Sequence, residues 1–168
     1  MSPRRIPQTY SAASIAGLVL STLVCFGVSA LGGAITAEPV KRWYPDLAKP
    51  ALTPPDIAFP IVWTLLFALM ALAAWRVWRA AGWHQARGAL ALFGLQLVLN
   101  LGWSALFFGL QQPGWALAEI VVLAVAIGAC MAAFARHDRI AALLLAPYLL
   151  WVGFAAYLNA AIWLLNPA

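Results

Sequence analysis

EPVKRWYPDLAKPALTPPDIAFP, residues 38–60, is the stretch that decides how the rest of the chain is read. It is the longest polar interruption in a sequence that is otherwise nearly all apolar. It holds Pro39, Pro45, Pro50, Pro54, Pro55 and Pro60. Each proline fixes its own φ, lacks an N–H and biases the preceding residue away from helix. The segment is therefore expected to be neither a regular helix nor a central strand. It also carries Trp43, Tyr44 and Leu47, which a solvated linker would not need. A stiff backbone bearing large apolar side chains suits a loop folded down as a lid, with the rest of the chain as the vessel.

The vessel is a membrane protein. Of 168 residues, 65% are hydrophobic and only 9% charged, whereas soluble domains are about a quarter charged. Several apolar stretches reach the roughly 20 residues that a helix needs to cross a bilayer core of about 30 Å. We expect an all-α membrane protein: one domain over residues 1–168, a bundle of five transmembrane helices. The spans fall at about 10–37, 58–79, 88–110, 114–135 and 140–165, with the proline-rich loop between the first two. Helices are expected because a lone strand cannot satisfy its backbone in lipid, and nothing alternates like a barrel. The first span runs too long for a signal-peptide core and is read as retained. Without an internal repeat, an inverted-repeat transporter is disfavoured.

A net charge of +5 does not point to nucleic acid, because the basic residues flank the apolar spans. Arg4, Arg5, Arg76, Arg79, Arg87, Arg136 and Arg139 gather on the side of the N-terminus, against Lys41, Arg42 and Lys49 opposite. The positive-inside rule then puts the N-terminus in the cytoplasm and the lid outside. A bacterial cell membrane, inner or outer, is expected rather than an organellar one. Trp75, Trp78 and Trp83 read as an interfacial belt. Cys25 and Cys130 lie in apolar runs and imply no disulfide. His84 and His137 are placed in cytoplasmic loops, so no histidine is expected inside a span to ligate a metal or haem.

Several spans carry aromatic and polar residues on one face. The second has Trp63, Phe67 and Met70; the third has Gln96, Asn100, Trp103 and Phe107. The fourth has Trp115 and Glu119; the fifth has Tyr148, Trp151, Ala155 and Asn159. All repeat at helical spacing, and amides and carboxyls in hydrocarbon should turn inward. Aromatic walls with few polar handles suit a flat, largely apolar ligand. Plain core packing reads the same stripes equally well. Ser29 with Gly33, Ala30 with Ala34 and Ala105 with Gly109 are small pairs that let helices approach closely, within the bundle or between two copies.

Five motifs in order resemble the translocator protein family, also called tryptophan-rich sensory proteins or peripheral-type benzodiazepine receptors. They are WYPDLAKPALTPP at 43–55, PIVW at 60–63, QLVLNLGWSALFFG at 96–109, GWALAE at 114–119 and PYLLWVGFAAYLN at 147–159. The resemblance covers roughly residues 10–165. It implies a five-helix bundle, often a homodimer, with a pocket beneath the first loop that binds porphyrins and benzodiazepine-type ligands. Trp63, Phe67, Gln96, Asn100, Trp103, Trp115, Trp151 and Ala155 match its ligand-binding positions. Trp43, Lys49 and Pro50 in the lid, with Phe107 and Tyr148 on the faces above, complete the candidate site. No cofactor and no metal are expected.

The chain departs from the family in places. Phe67 stands where many relatives have tyrosine, and Ser104-Ala105 where relatives often have proline. Ala160 and Leu164 occupy the tyrosine and basic positions of the vertebrate cholesterol-recognition pattern, so that pattern is missing. The reading that follows is a membrane receptor or sensor that binds protoporphyrin-like tetrapyrroles and regulates their level or transport. A light- and oxygen-dependent porphyrin-degrading enzyme, with Trp63 and Trp151 as its catalytic residues, is the alternative from another class. A lipophile transporter and a scaffold whose aromatics only pack are further readings.

Overall fold

The structure is a computed structural model that describes residues 11–167. Those residues are almost wholly helical, with no strand among them. Helix α1 spans Ala12–Arg42, α2 Ala58–Ser104, α3 Pro113–Ala135, α4 Arg139–Leu144 and α5 Ala146–Leu165.

α1 starts at Ser11, whose side chain accepts from the Ser14 N–H at 3.2 Å. Such a cap satisfies a donor that the first helical turn leaves open. The helix runs five residues past the expected boundary at 37 and includes Pro39. A proline here withholds one N–H from the ladder very near the end, where little helix remains to be disrupted. Glu38 pairs with Arg42 at 3.0 Å, one turn on. Trp43 then donates its N–H to the Pro39 carbonyl at 2.9 Å and closes the end. Only residues 43–57 form the connecting segment, so the lid is shorter than the polar stretch suggested.

Four helical stretches are long and apolar enough to cross a membrane: Ala12–Arg42, Ala58–Gly109, Pro113–Ala135 and Arg139–Leu165. The second merges two of the five expected spans and its 52 residues, at about 1.5 Å each, would reach roughly 78 Å if straight. It is not straight. Gly82 has φ 67° and ψ 174°, outside the helical region, a conformation open essentially to glycine alone. Nothing lies within 4 Å of where its Cβ would stand, so glycine is needed for conformation rather than space. The chain folds back there: Gln96 Nε2 lies 3.9 Å from Met70 Sδ, side chains that a straight helix would hold roughly 39 Å apart. The expected loop around residues 80–87 is thus reduced to one residue, and His84 stands exposed on helix, not in a loop.

α2 continues into a wider turn over Ala105–Gly109, where Leu110 donates its N–H to the Ala105 carbonyl at 2.7 Å. Such π-turns recur at functional sites. Here it falls where Ser104-Ala105 replaces the expected prolines, and it carries Phe107 and Phe108 beneath the lid. α4 and α5 form one 27-residue apolar stretch, broken at Leu145 because Pro147 supplies no N–H. Asp138 caps α4 by accepting from Ile140 and Ala141 N–H at 2.8 and 3.1 Å, and pairs with Arg76 at 2.8 Å.

The core joins both rods of α2 to α3, α4 and α5 through Leu66, Met70, Phe93, Ile120, Ala141 and Val152. α1 packs mainly on α2 and leaves Leu20 and Leu23 facing outward. At the far end of the bundle from the lid, Trp75 does not belong to an interfacial belt. It is buried and donates its indole N–H to the Ser14 carbonyl at 2.8 Å, while Trp83 is exposed. A Cβ on Gly17 would overlap the Trp78 ring, so that glycine makes room for α1 to approach.

Candidate ligand cavity

A cavity of about 490 Å³ lies between α1, both rods of α2 and α5, beneath the start of the connecting segment. That falls within the usual range for small-molecule sites, roughly 300–1,000 Å³. Its walls are mostly apolar, and three indoles line it: Trp63, Trp103 and Trp151.

Each indole is held by neighbours. Trp63 tilts against Phe67 at 5.8 Å and meets Tyr148 edge-on at 6.3 Å. Trp151 packs against Phe59 at 6.0 Å and Phe154 at 5.7 Å. Trp103 stacks on Phe107 at 5.2 Å with 22° between the planes. Its Nε1 donates to Asn159 Oδ1 at 3.0 Å, and Asn159 Nδ2 donates to the Pro113 carbonyl at 2.7 Å. α2, α5 and the start of α3 are thereby tied through one buried amide, which sets the plane of one wall. Asn100 Nδ2 donates to the Tyr148 hydroxyl at 3.1 Å and leaves the Asn100 carbonyl oxygen as a polar handle.

The lid is tied down over its first half, residues 43–49. Trp43 meets Phe107 edge-on at 5.6 Å, and Tyr44 tilts against Phe108 at 5.8 Å. Asn166, just past α5, accepts from the Ala48 N–H at 2.9 Å and donates to the Ala48 carbonyl at 3.0 Å. Lys49 donates to the Pro45 carbonyl at 3.2 Å and lies over the Tyr44 ring at 4.7 Å. Burial, and then the charge of Asp56, push the Tyr44 hydroxyl above its ordinary value of 10. Tyr44 therefore stays a neutral donor at the mouth.

Of the candidate residues, Trp63, Phe67, Asn100, Trp103, Phe107, Trp151 and Ala155 line this cavity together. Tyr148 and Gln96 are buried one layer behind, Tyr148 bonded to Asn100 and Gln96 to Met70. Trp43, Lys49 and Pro50 belong to the covering segment and do not line the wall. Trp115 is 71% exposed and points away from it. Glu119 is also outside the wall; both carboxyl oxygens are buried without a hydrogen-bond partner, close to Gly102.

The structure adds residues that the stripes on the second, third and fifth spans did not single out. Phe59 extends Trp63 and Phe67 by one helical turn, so the pattern was present in the sequence. α1 contributes Ser29, Gly33, Thr36 and Val40 at i, i+4, i+7 and i+11. Ser29 and Gly33, read as a close-packing pair, are cavity wall instead.

Long apolar helices bundled around a tryptophan-walled cavity mark a multi-pass membrane protein with an internal, mostly apolar site. The TspO/MBR family model matches residues 21–164, and the chain belongs to that family. It is 46% identical over 152 residues to the tryptophan-rich protein TspO of Chlorobaculum tepidum, covering 89% of this chain and 96% of that one. It is 39% identical to the tryptophan-rich sensory protein of Cereibacter sphaeroides, over 84% of this chain and 87% of that one. It is 36% identical to the human translocator protein, over 73% of each.

Proposed function

We propose that this chain is a membrane receptor that binds tetrapyrroles such as protoporphyrin in the cavity beneath its lid and regulates their level or transport. Benzodiazepine-type ligands would occupy the same space. The observation that carries the reading is the wall of Trp63, Trp103 and Trp151 around about 490 Å³ of mostly apolar space. Aromatic faces attract a flat conjugated ring by stacking, about 0.5–1.5 kcal/mol per contact beyond area burial. Asn100 supplies a handle for orientation. The chain would cross the bilayer five times, turning at Gly82, with its N-terminus cytoplasmic and its lid outside, as one domain and as a homodimer.

A second reading has a specific support: Trp63 and Trp151 both face the cavity. Under light, a bound porphyrin would react with oxygen as the oxidant, with these indoles as neighbouring electron donors. One titration separates the readings. Purified protein with protoporphyrin in the dark should show saturable quenching of tryptophan fluorescence, weakened by Trp151→Ala and by Ala155→Thr. Under light, a new absorbing species that depends on Trp63 or Trp151 would favour the enzyme. Absence of saturable quenching would sink both.

A further inference from the structure

Among the described residues that line the cavity, Lys41 is the one cation and Asp56 the one anion. Lys41, in the last turn of α1, and Asp56, near the far end of the connecting segment, line it together with Tyr44, and the Asp56 charge acts on the Tyr44 hydroxyl. The neighbouring cations are occupied: Arg42 by Glu38 at 3.0 Å, Lys49 by the Pro45 carbonyl and the Tyr44 ring. Lys41 has no carboxylate partner among the described residues. A lysine in the last turn of a helix favours the carbonyl end of the dipole. That role does not require it to border a cavity, and Arg42 already serves it.

We propose that Lys41, with the Tyr44 hydroxyl as a second donor, forms a carboxylate subsite at the cavity mouth. The preferred ligand is then a flat apolar ring bearing acid groups along one edge, seated with that edge toward the lid and its body among the indoles. Asp56 repels a carboxylate placed on its own side and so restricts the ring to one orientation. An ammonium–carboxylate pair at a site open to water gives a modest preference, reduced by salt. This inference rests on the tetrapyrrole reading and names which edge of the ring is recognised.

The test compares protoporphyrin IX with its dimethyl ester, which keeps the ring and removes the charge. Both are titrated in the dark against full-length protein in discs of neutral lipid. Wild type should bind the free acid roughly two- to fivefold more tightly than the ester. Lys41→Gln should bring the acid down to the ester's affinity and leave the ester unchanged, which also shows that the variant is folded. Asp56→Asn should tighten the acid alone. Equal affinity of wild type for acid and ester would overturn the carboxylate subsite and leave the tetrapyrrole reading standing. So would an acid preference that survives Lys41→Gln. Saturable binding of neither compound would overturn the tetrapyrrole reading and this inference with it.

Discussion

Removing the Asn159 amide should release Trp103 from its fixed plane. Asn159 is 1% exposed. Its two bonds join three helices: Trp103 Nε1 to Oδ1 at 3.0 Å, and Nδ2 to the Pro113 carbonyl at 2.7 Å. Interhelical hydrogen bonds in membranes contribute about 0.6 kcal/mol on average and up to about 1.7. Two bonds and the small void left by truncation put Asn159→Ala at about 2 kcal/mol of destabilisation. Trp103→Phe deletes the N–H and part of the ring, but the phenyl can still stack on Phe107; the packing loss is common to the single and double variants and cancels in the cycle. Because the two residues share one bond, the double variant should cost about 1 kcal/mol less than the sum of the two singles. Reversible unfolding in mixed micelles by SDS titration measures all four proteins. Strict additivity would mean that Asn159 acts through Pro113 alone and that nothing polar holds Trp103.

Gly82→Ala should destabilise by roughly 1–3 kcal/mol, since φ 67° with ψ 174° suits glycine alone. Gly88→Ala, in regular helix with open space around it, should stabilise by about 0.5–1 kcal/mol; the same titration reads both signs, and equal effects would refute the turn at Gly82. Asn166→Ala removes both bonds to Ala48, and Trp43→Ala removes the edge contact with Phe107. Each should raise the porphyrin off-rate roughly fivefold, and unchanged off-rates in stopped-flow would make the segment a connector only. Burial pushes the Asp138 carboxyl up, but the Ala141 and Ile140 N–H groups and Arg76 outweigh it and hold it below 3.8. A group depressed in the folded state contributes stability above its unfolded value and loses it as pH falls through the folded one. Acid unfolding below about pH 4 should therefore include an Asp138 component that disappears in Asp138→Asn; identical pH profiles would place the carboxyl outside the folded network.

The helix bundle was legible because composition and span length depend only on local sequence. The polar run from Arg76 to Arg87 placed a break between the second and third spans, but its narrowing to Gly82 alone, with helix continuing on both sides, has no local signature. The reach of α1 through Pro39 was also hidden, because a proline near a helix end costs little. Trp63, Trp103 and Trp151 were found because their helical spacing is regular. Trp115 shares that spacing yet faces outward, since periodicity identifies a face without saying what it meets. Lys41 and Asp56 reach the same cavity only once the connecting segment folds back, a long-range fact with no local signature.

The most direct test is a structure of the full-length protein with protoporphyrin bound. The ring should lie beneath the lid in contact with Trp63, Trp103 and Trp151, its acid edge toward Lys41. A ring bound on the outer face of the bundle, with the cavity empty, would contradict it.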